Sequence, residues 1–230
     1  MSAFRGATGV LLVLASSCLS QNKGGVDQRV AVPMVQKILS NADLSGSLEY
    51  WGFCDENKGW PDFPEPRHVS GHEGPALDVL KEMFADDPKM RVTQDNDGKI
   101  RMLETDVPQD LLEVKIRHLS FPADYRSGSG PMAVYFILNT PEVKGFMYHN
   151  IGRIAELGGA GMPGQGAMSG RGVVGHLNDV TVAQALDYVL KRFHGFWFYQ
   201  NCQTLEGRKI SIGFRENLNP VSDGSRARAK

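Results

Sequence analysis

Two stretches of this chain repeat one another without a gap, and a repeated helix followed by a hairpin leaves few ways to fold. In the second copy Val182, Ala185, Leu186, Val189, Leu190 and Phe193 recur on one side of a 3.6-residue helix. Thr181 is placed to cap its start and Gly195 to stop it. Phe196 to Tyr199 then leads through Cys202 to a turn and to a return strand from Arg208 to Phe214. The first copy runs from Ala76 to Phe84, then Met90 to Asp95, then Lys99 to Leu103. At a constant spacing of 109 residues Ala76 matches Ala185, Leu77 Leu186, Asp78 Asp187, Phe84 Phe193 and Gly98 Gly207, and Lys99 is answered by Arg208. The apolar side of each helix must be buried against another layer, and the hairpin beside it offers one. The expected fold is therefore α+β: two related helix-plus-hairpin units, with a mixed or antiparallel sheet packed on helices.

The rest of the chain fits around these units. Val30 to Leu39 has helical spacing from Met34, Ser47 to Cys54 alternates as a strand, and the Pro-rich stretch from Asp55 to Gly74 is loop. Leu112 to Ser120 alternates strictly, which predicts a strand with Val114, Ile116 and His118 on one face. Pro131 to Leu138 is a short apolar helix, and Pro141 to Glu156 supplies a second. Between Gly158 and Gly175 eight of eighteen residues are glycine, a density that predicts a mobile loop. Val173 to Val180 then re-enters the sheet. The expected boundaries are a leader at 1–20, a first unit at 26–121, a second at 131–214 and a disordered tail at 217–230. A weaker echo recurs at Arg67-His68-Val69-Ser70, Arg117-His118-Leu119-Ser120 and Gly175-His176-Leu177-Asn178, each bringing histidine to a point shortly before a helix.

Charge narrows the partners. A formal net charge of -1 gives no reason to expect nucleic acid. The segment from Asp55 to Glu113 is locally acidic, with 15 Asp and Glu against 7 Lys and Arg, and reads as a solvated face. Arg5, the apolar run Val10 to Ala15 and the small residues Ser16 to Ser20 form the three regions of a signal peptide, too short to span a bilayer. Export is the expectation, to the periplasm or beyond, and Cys18 stands where a lipidated cysteine would anchor the chain. Cys54 and Cys202 remain as an even pair in an oxidising compartment. A bridge between them closes a loop worth about 4 to 5 kcal/mol in a chain-entropy model.

Chemistry-bearing motifs are few. Gly159-Ala160-Gly161-Met162-Pro163-Gly164 has the letters of a dinucleotide fingerprint but follows a helical segment rather than a strand. Thr93 to Glu104 resembles the calcium loop of EF-hands in Asp95, Asp97, Gly98, Ile100 and Glu104 but starts on Thr93, and its flanks predict strands around an Asn-Asp-Gly turn. His68, His72 and Glu73 offer metal ligands for a hydrolase, from a Pro-rich loop rather than a helix. No Gly-x-Ser-x-Gly elbow is present. The aromatic run Phe196 to Tyr199 reads as core and cross-strand packing.

From Asn178 to Asp187, through Val189 and Leu190, to the hairpin ending Ile210-Ser211-Ile212, the chain resembles the short N-terminal module of secretins and TonB-dependent receptors. The likeness covers about Val174 to Phe214 and, less clearly, His68 to Leu103. It implies a periplasmic βαββ fold that binds other proteins without catalysis. Cys202 and Trp197 depart from that pattern, and no long β-rich region for a pore or barrel accompanies it. The resulting expectation is an exported, non-catalytic binding or assembly module with an envelope protein as partner, no cofactor and no membrane span in the mature chain. Two alternatives are a metal-dependent hydrolase using His68, His72 and Glu73 and a calcium-binding module using Asp95, Asp97 and Glu104.

Overall fold

The computed structural model describes residues 28–55, 60–61, 74–121, 129–151, 175–204 and 207–217. In chain order these form α1 (Gln28–Asn41), β1 (Gly46–Asp55), β2 (Trp60–Pro61), α2 (Ala76–Met83), β3 (Met90–Gln94), β4 (Ile100–Glu104) and β5 (Lys115–Phe121). They continue with α3 (Gly130–Leu138), α4 (Pro141–Ile151), β6 (Gly175–Thr181), α5 (Val182–Leu190), β7 (Gly195–Thr204) and β8 (Gly207–Glu216). The fold is α+β, as the periodicities predict. Among the described residues no helix is long and apolar enough to cross a membrane.

Both copies of the repeat form a helix and an antiparallel hairpin, α2-β3-β4 and α5-β7-β8. They join through β1 into one mixed sheet of order β3-β4-β1-β7-β8, with β2 paired to β1. β1 runs parallel to β4 over Gly46 to Glu49 and parallel to β7 over Gly46 to Phe53. Yet β4 is the second strand of its hairpin and β7 the first, so the two hairpins enter the sheet in opposite directions. Keeping their left-to-right order while reversing their direction turns one unit over relative to the other. The two repeat helices must then lie on opposite faces.

Burial shows this. Strand residues alternate between faces. Phe196 and Phe198 join Leu48, Tyr50, Ile100 and Met102 in a core with α1 and α2. Trp197 and Tyr199 point the other way and join Ile210, Ile212 and Phe214 in a core with α3, α4, α5 and β5. Burying both faces explains why the aromatic run has no polar alternation. Gly213 is part of the same packing: a Cβ there would sit 2.3 Å from the Phe198 ring.

Two expectations change. β6 does not re-enter the main sheet but pairs antiparallel with β5 in a separate two-stranded sheet. The reason lies at the start of α5, where the orphan N–H groups of Val182 and Ala183 donate to the carbonyls of Val114 and Leu112 at 3.0 Å each, tying the helix entrance to the lead-in of β5. The strict alternation predicted for β5 also breaks: Ile116, Leu119 and Phe121 are buried while His118 is exposed. Asp179, opposite Arg117, adopts a left-handed φ of 52°, and the ladder skips that position. The two units share the main sheet, since β1 of the first pairs with β7 of the second. At the C-terminal side Asn217 is still held, its N–H on His194 O at 2.9 Å and its side-chain amide on Leu44 O at 3.1 Å.

Candidate functional site

The two outer strands of the main sheet differ. In β8 the residues from Ile210 to Phe214 are all buried. α3 starts against this strand, where Gly130 N–H donates to Glu216 Oε1 at 2.7 Å and a Cβ on Gly130 would meet the Phe214 ring at 2.4 Å. Burial raises the Glu216 carboxyl above its ordinary range, opposed by the Gly130 N–H. In β3, by contrast, Arg91, Thr93 and Gln94 are exposed and only Met90 and Val92 face the core.

The register shows which β3 backbone groups face outward. Asp95 N–H donates to Lys99 O at 2.9 Å and Thr105 N–H to Lys89 O at 3.1 Å, so the odd-numbered residues of β3 bond into the hairpin. In an antiparallel pair bonded positions alternate, so the N–H and C=O groups of Val92 and Gln94 point away from β4, along the open edge of the sheet.

The hairpin carrying this edge is locked by a polar network on the face opposite α2. Asp187 of α5 takes both guanidinium arms of Arg101, at 2.9 and 2.5 Å, and the Trp197 indole N–H at 3.0 Å. Arg101 also reaches Asp95 in the turn, with Nε to Oδ2 at 3.2 Å. Asp95 Oδ1 accepts the N–H groups of Asp97 and Lys99. Burial pushes the Asp95 carboxyl up, but the Lys99 N–H and the Arg101 guanidinium outweigh it and hold the group below its ordinary range. Gly98, at φ 81°, completes a turn that no β-branched residue would tolerate.

A second pair crosses between the units further along. Arg208 binds Asp110 through two contacts of 2.6 Å and donates from Nε to Asn201 Oδ1 at 2.8 Å. Arg208 is the main reason the Asp110 carboxyl lies below its ordinary range. The Tyr199 hydroxyl donates to Pro108 O at 2.9 Å, and burial pushes its pKa up to about 12, so it stays protonated. Glu49, between these pairs, accepts from Gln109 at 2.9 Å, and burial raises its carboxyl despite that bond and the nearby Arg101.

The motif residues fall as follows. Asp95 and Asp97 share the turn, but Asp97 pairs with Lys99 Nζ at 3.1 Å. Glu104 lies at the far end of β4, where its Oε2 accepts Trp51 N–H at 2.7 Å and burial raises its carboxyl. The three are not gathered around one point; the segment is the hairpin that its flanks predict. His68, His72, Glu73, Cys18 and the glycine fingerprint lie outside the described residues. For Cys54 the backbone is described: it pairs with Pro61 of β2, and Gly52, two residues earlier on β1, pairs with Cys202 of β7. Among the described residues no group of three or more His, Cys, Asp or Glu side chains is arranged to hold a metal ion. Sequence reasoning missed the Arg101–Asp187 clamp, although its signal was present, an aspartate at the same place in both repeats. Comparison with known proteins gives no matching family model, no similar curated protein and no similar solved structure.

Proposed function

We propose that this chain is an exported, periplasmic cell-envelope protein that works as a non-catalytic binding or assembly module, and that its partner adds an extended segment to the β3 edge. The observation that carries the reading is the contrast between a buried β8 and an exposed β3 whose Val92 and Gln94 backbone groups face outward. Strand addition needs such a row of groups held in register before the partner arrives. The Asp187–Arg101–Asp95 network supplies that rigidity from outside the hairpin. The signal-like leader and the βαββ order β6-α5-β7-β8 support placement in the envelope. A lipid on Cys18 and a Cys54–Cys202 bridge belong to the same reading.

The test is retention of envelope proteins by the immobilised full chain and by Gln94→Pro, which removes an outward N–H without touching a β3–β4 ladder bond. The reading expects a stoichiometric partner on the parent chain that Gln94→Pro loses while its melting temperature holds. Equal retention by both would place the contact elsewhere. Intact mass with and without reductant tests the bridge: two mass units gained on reduction support it, and an unchanged mass rules it out.

A further inference from the structure

Lys89, Arg91, Lys99 and Arg101 are the cations of the hairpin that carries the β3 edge and of its approach, and all but one are matched by carboxylates. Lys89 Nζ lies 2.6 Å from Asp106 Oδ2 and Lys99 Nζ 3.1 Å from Asp97 Oδ2, while Arg101 holds Asp95 and Asp187. Arg91 is the exception: it is exposed on β3 and meets no acidic side chain among the described residues. The carboxylates of Asp95, Asp97 and Asp106 are each neutralised at short range, which leaves Arg91 as the uncompensated charge of the edge.

The place of Arg91 in the ladder decides what that charge can meet. Odd-numbered residues of β3 bond to β4, so toward a strand added antiparallel on the outside they take the non-hydrogen-bonded positions. The Cα atoms of such pairs come within about 4.5 Å, closer than in bonded pairs, and side chains directly opposite one another interact. Arg91 and Thr93 project from one face of the sheet, while Met90 and Val92 face the core shared with α2. Every second residue of an added segment therefore falls beside Arg91 or Thr93, and the residue between them falls on the side of Val92.

We propose that the segment taken by the β3 edge runs antiparallel to it and carries a carboxylate, Asp or Glu, opposite Arg91. A sequence such as Thr-Val-Glu, set against Thr93, Val92 and Arg91 in that order, has the required pattern. The inference rests on the strand-addition reading above and adds its charge specificity. One carboxylate suffices, because a longer acidic run would approach Asp87, whose Oδ1 accepts the Lys89 N–H at 2.9 Å just ahead of the strand.

The probes are two capped peptides, Gly-Ser-Thr-Val-Glu-Val-Ser-Gly and the same sequence with Lys in place of Glu. Each is titrated into the full-length protein at low salt while the amides of Val92 and Gln94 are followed by NMR. The proposal expects the Glu peptide to bind about 3- to 10-fold more tightly than the Lys peptide, with added salt shrinking the difference. Arg91→Glu should reverse the order, and Gln94→Pro should lose both peptides. The Arg91 side chain is exposed, and melting curves check that both variants fold. Equal binding of two peptides that Gln94→Pro loses, or an order that Arg91→Glu leaves unchanged, overturns the charge preference and leaves the edge reading standing. No binding of either peptide, or binding that Gln94→Pro leaves intact, overturns both.

Discussion

Asp78 and Asp187 occupy the same place in the two repeats and do different things. Asp78 is exposed on α2, while Asp187 on α5 holds Arg101 and the Trp197 indole. The helix starts differ in the same direction. α5 opens with a full capping box, Thr181 and Gln184 exchanging bonds at 3.2 and 2.9 Å, whereas α2 begins after Pro75 with no side-chain cap. The hairpins differ too, five-residue strands against ten-residue ones. The second unit is thus the anchor, and the first is held to it at the turn and leaves its outer strand exposed. A repeat specifies the element order in each copy; neighbours decide what each shared residue does.

Substitutions at matched positions can break or sharpen this comparison. Phe84→Ala and Phe193→Ala, both in buried positions, should cost about 3 to 5 kcal/mol each in denaturant unfolding. A large inequality would show that one copy contributes little to global stability. Asp187→Ala removes the two-armed partner of the partly buried Arg101, which keeps Asp95 and Ser47, and takes away the acceptor of the Trp197 indole N–H; it should cost about 2 kcal/mol, while Asp78→Ala should leave the midpoint unmoved. Thr181→Ala should cost about 1 kcal/mol through the lost cap.

The smallest expected effects are in pH dependence. Burial raises the Glu49 carboxyl, so folding takes up a proton there and ionisation weakens the fold. That penalty is absent below the ordinary glutamate range and complete above the raised value in the folded state. Glu49→Gln should therefore match the parent chain in acid and gain on it as pH rises. Asp110 has the opposite sign. Its contribution is present at neutral pH and fades as pH falls through its lowered value, so the gap between the parent and Asp110→Asn, up to about 1 kcal/mol, should close in acid.

Local signals made much of the fold legible. The spacing of Val182 to Phe193, the cap at Thr181 and the Asn-Asp-Gly turn at Gly98 each specify an element through residues close in sequence. The placement of β6 in a second sheet depends on N–H groups of α5 meeting carbonyls about 70 residues earlier, and no period reports that. The exposure of His118 depends on the backbone of Asp179 in another strand. Of the candidate site, the β3 strand itself was readable, but its position at the sheet edge follows only from β1 running parallel to β4.

The central claim is that β3 presents a firmly held but uncovered edge, and amide hydrogen exchange followed by NMR tests it most directly. The account predicts slow exchange at Arg91 and Thr93, which bond into the hairpin, and from Ile210 to Phe214 in β8, with fast exchange at Val92 and Gln94. Protection at Val92 and Gln94 equal to that of Arg91 and Thr93 in the isolated chain would mean that the edge is already covered, and would contradict it.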